Sequence, residues 1–293
     1  MKILQNRVSW LIFVGPALAY YGVIVLFPIL QSLWLSLFSW NGITPAKFAG
    51  LANYREMLGD RFFWEAVRHN LVYVVVVVAT QILGGLLLAL ILLNLRRGQN
   101  LVKTLFYVPV IIVTVAIAQM FRMIYSLQPE GLINVVLSFL GLGGFTDAWL
   151  SNPHTALFAV SLPEGWRFTG LYMIIFHAAL MAIPSELEDA ARIEGVNELQ
   201  LNWYIRLPFI RNILLLATVM ATTGALRGFD IPYIINAPSG YTEIVTTYMY
   251  DKAFSSLQYG YGSAISIFII FECVVFVLML GVLRKLWTRR ASL

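Results

Sequence analysis

Six stretches of the chain, at approximately 8 to 38, 71 to 94, 104 to 125, 157 to 183, 212 to 236 and 262 to 286, are long and apolar enough to cross a hydrocarbon core as helices. Each helical residue advances about 1.5 Å, so roughly 20 of them suffice. No water reaches backbone N–H and C=O groups at that depth, so a span of this kind must satisfy them within its own helix. The expected fold class is therefore all-α, a polytopic membrane protein with about six transmembrane helices. A composition 59% hydrophobic and 12% charged places the chain outside the soluble classes. The formal charge of +5 could suggest nucleic acid, yet the basic residues fall at the ends of apolar segments rather than on one face.

An even number of spans puts both termini on one side. With the N-terminus inside, Lys2, Arg7, Arg96, Arg97, Lys103, Arg192, Arg206, Arg211, Arg284, Lys285, Arg289 and Arg290 are cytoplasmic, and Lys47, Arg55, Arg61, Arg68 and Lys252 are outside. Arg122, Arg167 and Arg227 lie within or at the edges of helices. The excess of Lys and Arg favours both termini in the cytoplasm, and with them residues 184–211. The N-terminal run outlasts a signal-peptide core and reads as a retained helix that Pro16 and Pro28 can kink. Cys273 stands alone in the last segment, which excludes an internal disulfide and leaves a packing role. Trp34 to Trp40 and Trp287 fit interfacial belts. Residues 41–70 suit either an interfacial helix or a plain connection, and 126–155 an outer loop with a short helix.

Residues 184–211 form a polar island between the fourth and fifth apolar segments. Pro184 ends the preceding helix, and Ser185-Glu186-Leu187-Glu188 has the spacing of a capping box for a new one. That helix is expected to reach Arg192 or Ile193 and to stop at Gly195, which tolerates the left-handed turn. Ala190 and Ala191 offer a side-chain-poor surface, with Glu188, Asp189 and Glu194 placing charge around it. Trp203, Ile205 and Leu207 can anchor the return segment at the interface, and Pro208 can open the next helix. An amphipathic loop helix of no special purpose would share the capping and the small residues.

The full spacing adds more. Asp189-Ala190-Ala191, Gly195, Ile205, Leu207 and Pro208 resemble the Glu-Ala-Ala-x3-Gly-x9-Ile-x-Leu-Pro loop of the permease subunits of binding-protein-dependent ABC importers, with Asp189 in place of the usual Glu. Phe48, Gly50-Leu51, Asn53 and Tyr54 are similar to the outer segment of the sugar permeases. Phe229-Asp230-Ile231, Thr242-Glu243, Thr247-Tyr248 and Tyr259 to Ala264 look like their fifth helix, outer loop and sixth helix. The likeness extends over nearly the whole chain and points to the maltose-type branch. It implies one permease domain over 1–293 with a cytoplasmic coupling loop at 184–211, in a bacterial inner membrane. Glu188, Asp189, Ala190, Ala191, Gly195, Ile205, Leu207 and Pro208 would dock an ATPase. The implied partners are a second permease, two cytoplasmic ATPase subunits and an external binding protein that delivers a sugar or oligosaccharide. A glycerol phosphate or polyol importer is the alternative, and a stand-alone secondary transporter a further one.

None of the five lysines follows a glycine, so the chain has no phosphate loop of the Gly-x4-Gly-Lys type. No cofactor is expected on this chain. ATP and Mg2+ belong to the implied partners, and no nucleophile and base pair marks an enzyme. Polar groups inside a bilayer cost about 2.5–3.5 kcal/mol each when charged, and so face protein or water. Glu164, Trp166 and Arg167 in the fourth segment, with Tyr172 and His177 deeper, are therefore candidates for a substrate path. Thr223, Arg227 and Asp230 follow at i, i+4 and i+7, which on one helix shares a face. Glu164 with Arg167, and Arg227 with Asp230, could instead pair with each other at i, i+3. His177 reads as packing, and Glu272 as an interhelical contact or a coupling acid.

Overall fold

The computed structural model describes residues 7–95, 97–235 and 240–290. Lys2 and Arg96, counted above as cytoplasmic, lie outside them, as do the side chains of Arg7, Trp287 and the basic residues from Arg284 to Arg290. Among the described residues four helices are long and apolar enough to cross a membrane, or up to six if each of two bent pairs is one span.

The first span is α1 (Arg7–Tyr21) and α2 (Phe27–Leu35), joined by a five-residue π-turn at Gly22–Leu26. The turn closes with Phe27 N–H on Gly22 O, directly before Pro28. Proline donates nothing and its ring crowds the carbonyl four residues back, so a widened turn relieves both problems. The chain leaves the helix at Ser36 into a small antiparallel hairpin, β1 (Phe38–Ser39) with β2 (Lys47–Phe48), Phe38 opposite Phe48.

A short helix α3 (Ala52–Gly59) follows, and α4 (Arg61–Asn94) then begins some ten residues before the expected 71. Asp60 explains the early start: its Oδ1 accepts from Phe62 N at 2.9 Å and caps the new helix. Phe62-Phe63-Trp64, expected in an interfacial segment, therefore belongs to the first turn of α4, with Phe63 wholly buried against Phe268.

The third segment differs most. Instead of one helix over 104–125 there are two, α5 (Gln99–Ile111) and α6 (Thr114–Ile124), bent by 101°. Pro109 precedes five β-branched residues, Val110 to Thr114, and Ile112 and Val113 adopt ψ of 137° and 132°. A run so stiff at χ1 yields to extended backbone where packing favours it.

Next comes a short helix, α7 (Leu132–Phe139), within the expected outer loop. The fourth span is α8 (Ala156–Met181), bent by 73° into α9 (Ser185–Ile193). The fifth starts earlier than expected: α10 (Glu198–Leu201), a π-turn at Asn202–Arg206 and α11 (Leu207–Leu226) follow without interruption, and α12 (Asp230–Ile235) comes after a break. The return segment is thus helical before Pro208, and the same sequence of π-turn, one residue, proline recurs. A short α13 (Val245–Tyr250) and the long α14 (Tyr259–Arg290) complete the chain.

Two compact units emerge, one of Met1–Trp64 with Tyr248–Phe271, the other of Glu65–Thr247 with Glu272–Leu293. In the first, Asp60 Oδ2 accepts the hydroxyls of Tyr248 and Tyr261, the latter at 2.6 Å. Asn53 Nδ2 bridges the carbonyls of Ser36 and Phe38 at 2.7 and 3.0 Å. The second holds two apolar clusters, one around Tyr73, Ile117, Leu226 and Ile231, the other around Leu92, Met173, Phe176 and Ile210. Lipid tails are as apolar as leucine, so small residues and close backbones hold such helices together. Gly170 is the clearest case, since a Cβ there would lie 1.8 Å from Phe106 O on α5. Glu272 is buried and accepts from Asn70 Nδ2 at 3.4 Å, the interhelical contact expected of it.

Candidate functional site

The loop between the fourth and fifth spans is built around Arg206. Glu188 Oε1 accepts from Arg206 Nε at 2.9 Å and Glu188 Oε2 from Nη2 at 2.8 Å. Nη1 donates to Glu198 Oε2 at 3.1 Å and to Asn202 Oδ1 at 2.7 Å. Only 3% of Arg206 is exposed, in a very polar setting for a residue at the foot of a membrane span. A planar guanidinium suits this role because its fork matches a carboxylate edge to edge. Arg192 extends the network, donating to the other oxygen of Glu198 at 3.0 Å and standing 3.7 Å from Glu188 and 3.8 Å from Asp189. The Arg206 hydrogen bonds hold the Glu188 carboxyl below the usual range, outweighing partial burial.

This arrangement corrects one expectation. Ser185 and Glu188 do not form a capping box: Pro184 takes the N-cap position without a side-chain bond, and Glu188 is engaged by Arg206 instead. The box that does form is Asn197 with Gln200, where Gln200 N donates to Asn197 Oδ1 at 2.9 Å and Asn197 N to Gln200 Oε1 at 3.0 Å. It starts α10. An Asn-x-x-Gln spacing was present in the sequence to find it.

The end of α9 follows the expected chemistry. The helix stops at Ile193, and Gly195 takes φ +83°. Val196 N donates to Ala191 O and Gly195 N to Arg192 O, both at 3.1 Å, which is a Schellman closure. Asp189 and Ala190 face outward, whereas Ala191 is buried, so the small-residue surface consists of Ala190 rather than the pair. Leu187 and Ile193 are exposed on either side of it, and Leu199, Trp203 and Tyr204 are exposed along the return helix. Ile205 and Leu207 are half-buried, and Pro208 is exposed in the first turn of α11. The loop thus neutralises the buried Arg206 and the exposed Arg192 with its own carboxylates and presents an apolar face edged by Asp189.

The substrate-path candidates cluster less tightly. Arg167 on α8 donates from Nη1 to Thr114 Oγ1, at the first residue of α6, at 2.9 Å, and lies 5.0 Å from the Phe168 ring centre. Trp166 meets Phe121 edge to face at 5.5 Å. Glu164 is partly buried on the same helix, its backbone carbonyl accepting from Gln81 at 3.3 Å. Among the described residues neither Glu164 with Arg167 nor Arg227 with Asp230 closes an ion pair. The expected shared face of Thr223, Arg227 and Asp230 does not exist, because α11 ends at Leu226 and Asp230 begins a separate helix. Thr223 turns its hydroxyl back to Val219 O at 2.9 Å, Arg227 Nε binds Thr223 O at 3.0 Å, and Arg227 and Asp230 are exposed. His177 is buried among packing residues of α8. Thr114 had no signal in the sequence, because only the bend between α5 and α6 makes it a helix start facing Arg167.

Bent and interrupted apolar helices, with a polar loop between two of them, mark a protein built to span a membrane. Residues 81–291 match the family described as binding-protein-dependent transport system inner membrane component. The chain belongs to that family. It is 35% identical to the probable ABC transporter permease protein YurN of Bacillus subtilis, over 89% of this chain and 91% of that one. It is 32% identical to the lactose transport system permease protein LacF of Rhizobium radiobacter, over 91% and 90%. A chain from a crystal structure of a bacterial alginate ABC transporter, in complex with an alginate pentasaccharide-bound periplasmic protein, has the same fold: TM-score 0.80, 21% identity, 94% of this chain and 93% of that one covered.

Proposed function

We propose that this permease forms half of the translocation path for a sugar or oligosaccharide, delivered by an external binding protein and driven by partner ATPases. A second, similar permease would supply the other half. Residues 1–293 act as one permease domain with both termini and residues 184–211 in the cytoplasm. There α9 seats in a groove of the ATPase, with Asp189, Ala190, Leu187 and Ile193 at the contact. ATP and Mg2+ are handled by the ATPase pair, and this chain binds neither.

The Arg206 clamp carries the reading. A helix that passes motion to a span must be fastened to it more firmly than to its surroundings. Of four charge-assisted bonds from Arg206 at the foot of α11, two go to α9, one to α10 and one to Asn202 in the π-turn, which fastens the three together. Closure of the ATPase dimer then moves α9 and α11 as one body, and the permease pair exchanges the open side of its cavity. The solute biases that exchange only through a difference in affinity between the two states. The test is copurification of the tagged chain with an ATPase pair, followed by ATPase activity of the complex across a panel of sugars with their binding proteins. Stimulation by a sugar supports the assignment, and absence of any associated ATPase removes it.

A further inference from the structure

We propose that the foot of the fifth span carries a binding site for an anionic phospholipid, with Arg211 and Trp203 taking the headgroup. Between α4 and α11 lies a groove of about 570 Å3 whose walls include Leu83, Leu86, Leu207 and Leu214. That volume is within the range of small-molecule pockets, about 300–1,000 Å3. Its lining is aliphatic apart from Trp203 and Arg211, an amphipathic division that suits a molecule with an apolar chain and a charged end.

The charge is specific. Arg192 and Arg206, the other two arginines of the loop, are both held by Glu188 and Glu198. Among the described residues no carboxylate stands within ion-pair distance of Arg211, although it is half-buried. Leu207, Arg211 and Leu214 follow at i, i+4 and i+7, so the guanidinium rises from the same helix face that lines the groove. A long arginine stem lies along aliphatic wall while its head reaches for the polar layer. Trp203 sits about two turns nearer the loop than Arg211, is 69% exposed, and its indole N–H has no partner among the described residues. Two donors with no protein acceptor among the described residues, beside a groove of aliphatic lining, select a phosphate diester with a hydrocarbon tail. Basic sites between spans near the membrane surface take anionic headgroups for this reason.

Leu207 belongs to the docking loop, so the lipid touches the same helix base that the Arg206 clamp holds. The site itself depends only on the chain spanning a bilayer, not on what it transports.

The test uses the intact transporter in nanodiscs of phosphatidylcholine with phosphatidylglycerol carrying a photoreactive group on its acyl chain. After irradiation, label is mapped by peptide mass spectrometry. Label is expected on peptides covering residues 82–86 and 203–214, displaced by unlabelled phosphatidylglycerol and not by inorganic phosphate. Arg211→Gln should lower that labelling about five-fold, the equivalent of ~1 kcal/mol for one basic residue at the surface. Arg211→Lys should keep most of it, and Leu83→Trp should block the groove and reduce label without touching the charge. Equal labelling from photoreactive phosphatidylcholine, full displacement by inorganic phosphate, or unchanged labelling in Arg211→Gln would each overturn the proposal. So would an efficient cross-link from Leu83→Cys to the partner permease, which would make the groove a subunit interface.

Discussion

Arg206 and Glu188 meet as a two-bonded fork, Nε on Oε1 at 2.9 Å and Nη2 on Oε2 at 2.8 Å, joining the foot of α11 to the lever helix 18 residues earlier. Breaking one side of a buried pair costs about 3–5 kcal/mol, and 18% exposure of the Glu188 side chain puts this pair toward the lower value. Arg206→Ala is therefore expected to cut uptake per ATP hydrolysed at least ten-fold in proteoliposomes, with the ATPase subunits still bound. Glu188→Gln should be milder, because Glu198 and Asn202 continue to hold Arg206. Normal coupling in Arg206→Ala would contradict the clamp.

Gly195 sits at φ +83° with open space where a Cβ would go. The cost of replacing it is thus in the backbone, about 1–2 kcal/mol for an ordinary L-residue and less for asparagine. Gly195→Asn should transport nearly as well as the parent and Gly195→Val worse. Gly195→Pro, which also loses the N–H given to Arg192 O, should uncouple hydrolysis from uptake. Equal uptake in all three would separate the turn from function.

Gly170→Ala tests packing rather than the loop. Its Cβ would collide with the backbone carbonyl of Phe106, which no rotamer change relieves. Overpacking of this kind costs about 1–3 kcal/mol. The purified complex should lose thermal stability by fluorescence-monitored melting, whereas Gly224→Ala, with nothing within 4 Å, should melt with the parent.

Asp60 supplies a pH prediction. Burial pushes its pKa up, but the hydroxyls of Tyr248 and Tyr261 and the N–H groups of Phe62 and Phe63 together bring it below the ordinary value. A carboxyl whose folded pKa is depressed stabilises fully above its unfolded pKa, about 3.9, and loses that contribution as pH falls through the folded value. Proteolytic resistance around residues 240–258 should be flat above about pH 5 and collapse only in stronger acid. Asp60→Asn should already be susceptible at neutral pH; equal resistance in parent and variant would rule out a stabilising role for the Asp60 hydrogen bonds to Tyr248 and Tyr261.

Arg167 and Thr223 separate the two halves of the candidate path. Arg167→Gln removes a charged donor worth about 1.5–3 kcal/mol and should raise the apparent KM for the transported solute roughly ten-fold or more. Thr223→Val should leave KM alone, since that hydroxyl already bonds its own helix. The reverse pattern in uptake assays would move the path to α11.

Local chemistry was legible in the chain and distant pairing was not. Pro184 and Gly195 bounded α9 correctly because each acts on its own backbone, Pro184 through a fixed φ and a missing N–H and Gly195 through a positive φ. Glu188 was misread because its choice lay between a cap three residues away and a guanidinium 18 residues away, and the charged partner is the stronger one. Arg206 occupies the variable position between Ile205 and Leu207, where spacing alone assigns no role. Hydropathy located the third segment but could not distinguish one straight helix from α5 and α6 at 101°, since a bent pair is just as apolar. The early start of α4 escaped for a simpler reason: charged residues from Arg61 to Arg68 obscure a helix that Asp60 already caps.

The π-turn at Asn202–Arg206 has a mechanical consequence. Its wide loop and the missing N–H of Pro208 weaken the backbone ladder of the fifth span here, and Arg206 braces the same stretch through Glu198 and Asn202. Arg206, the last residue of that turn, is bolted to the lever on the other side. Motion given to α9 would therefore bypass the soft turn and reach α11 through side chains, tilting the shaft instead of unwinding it.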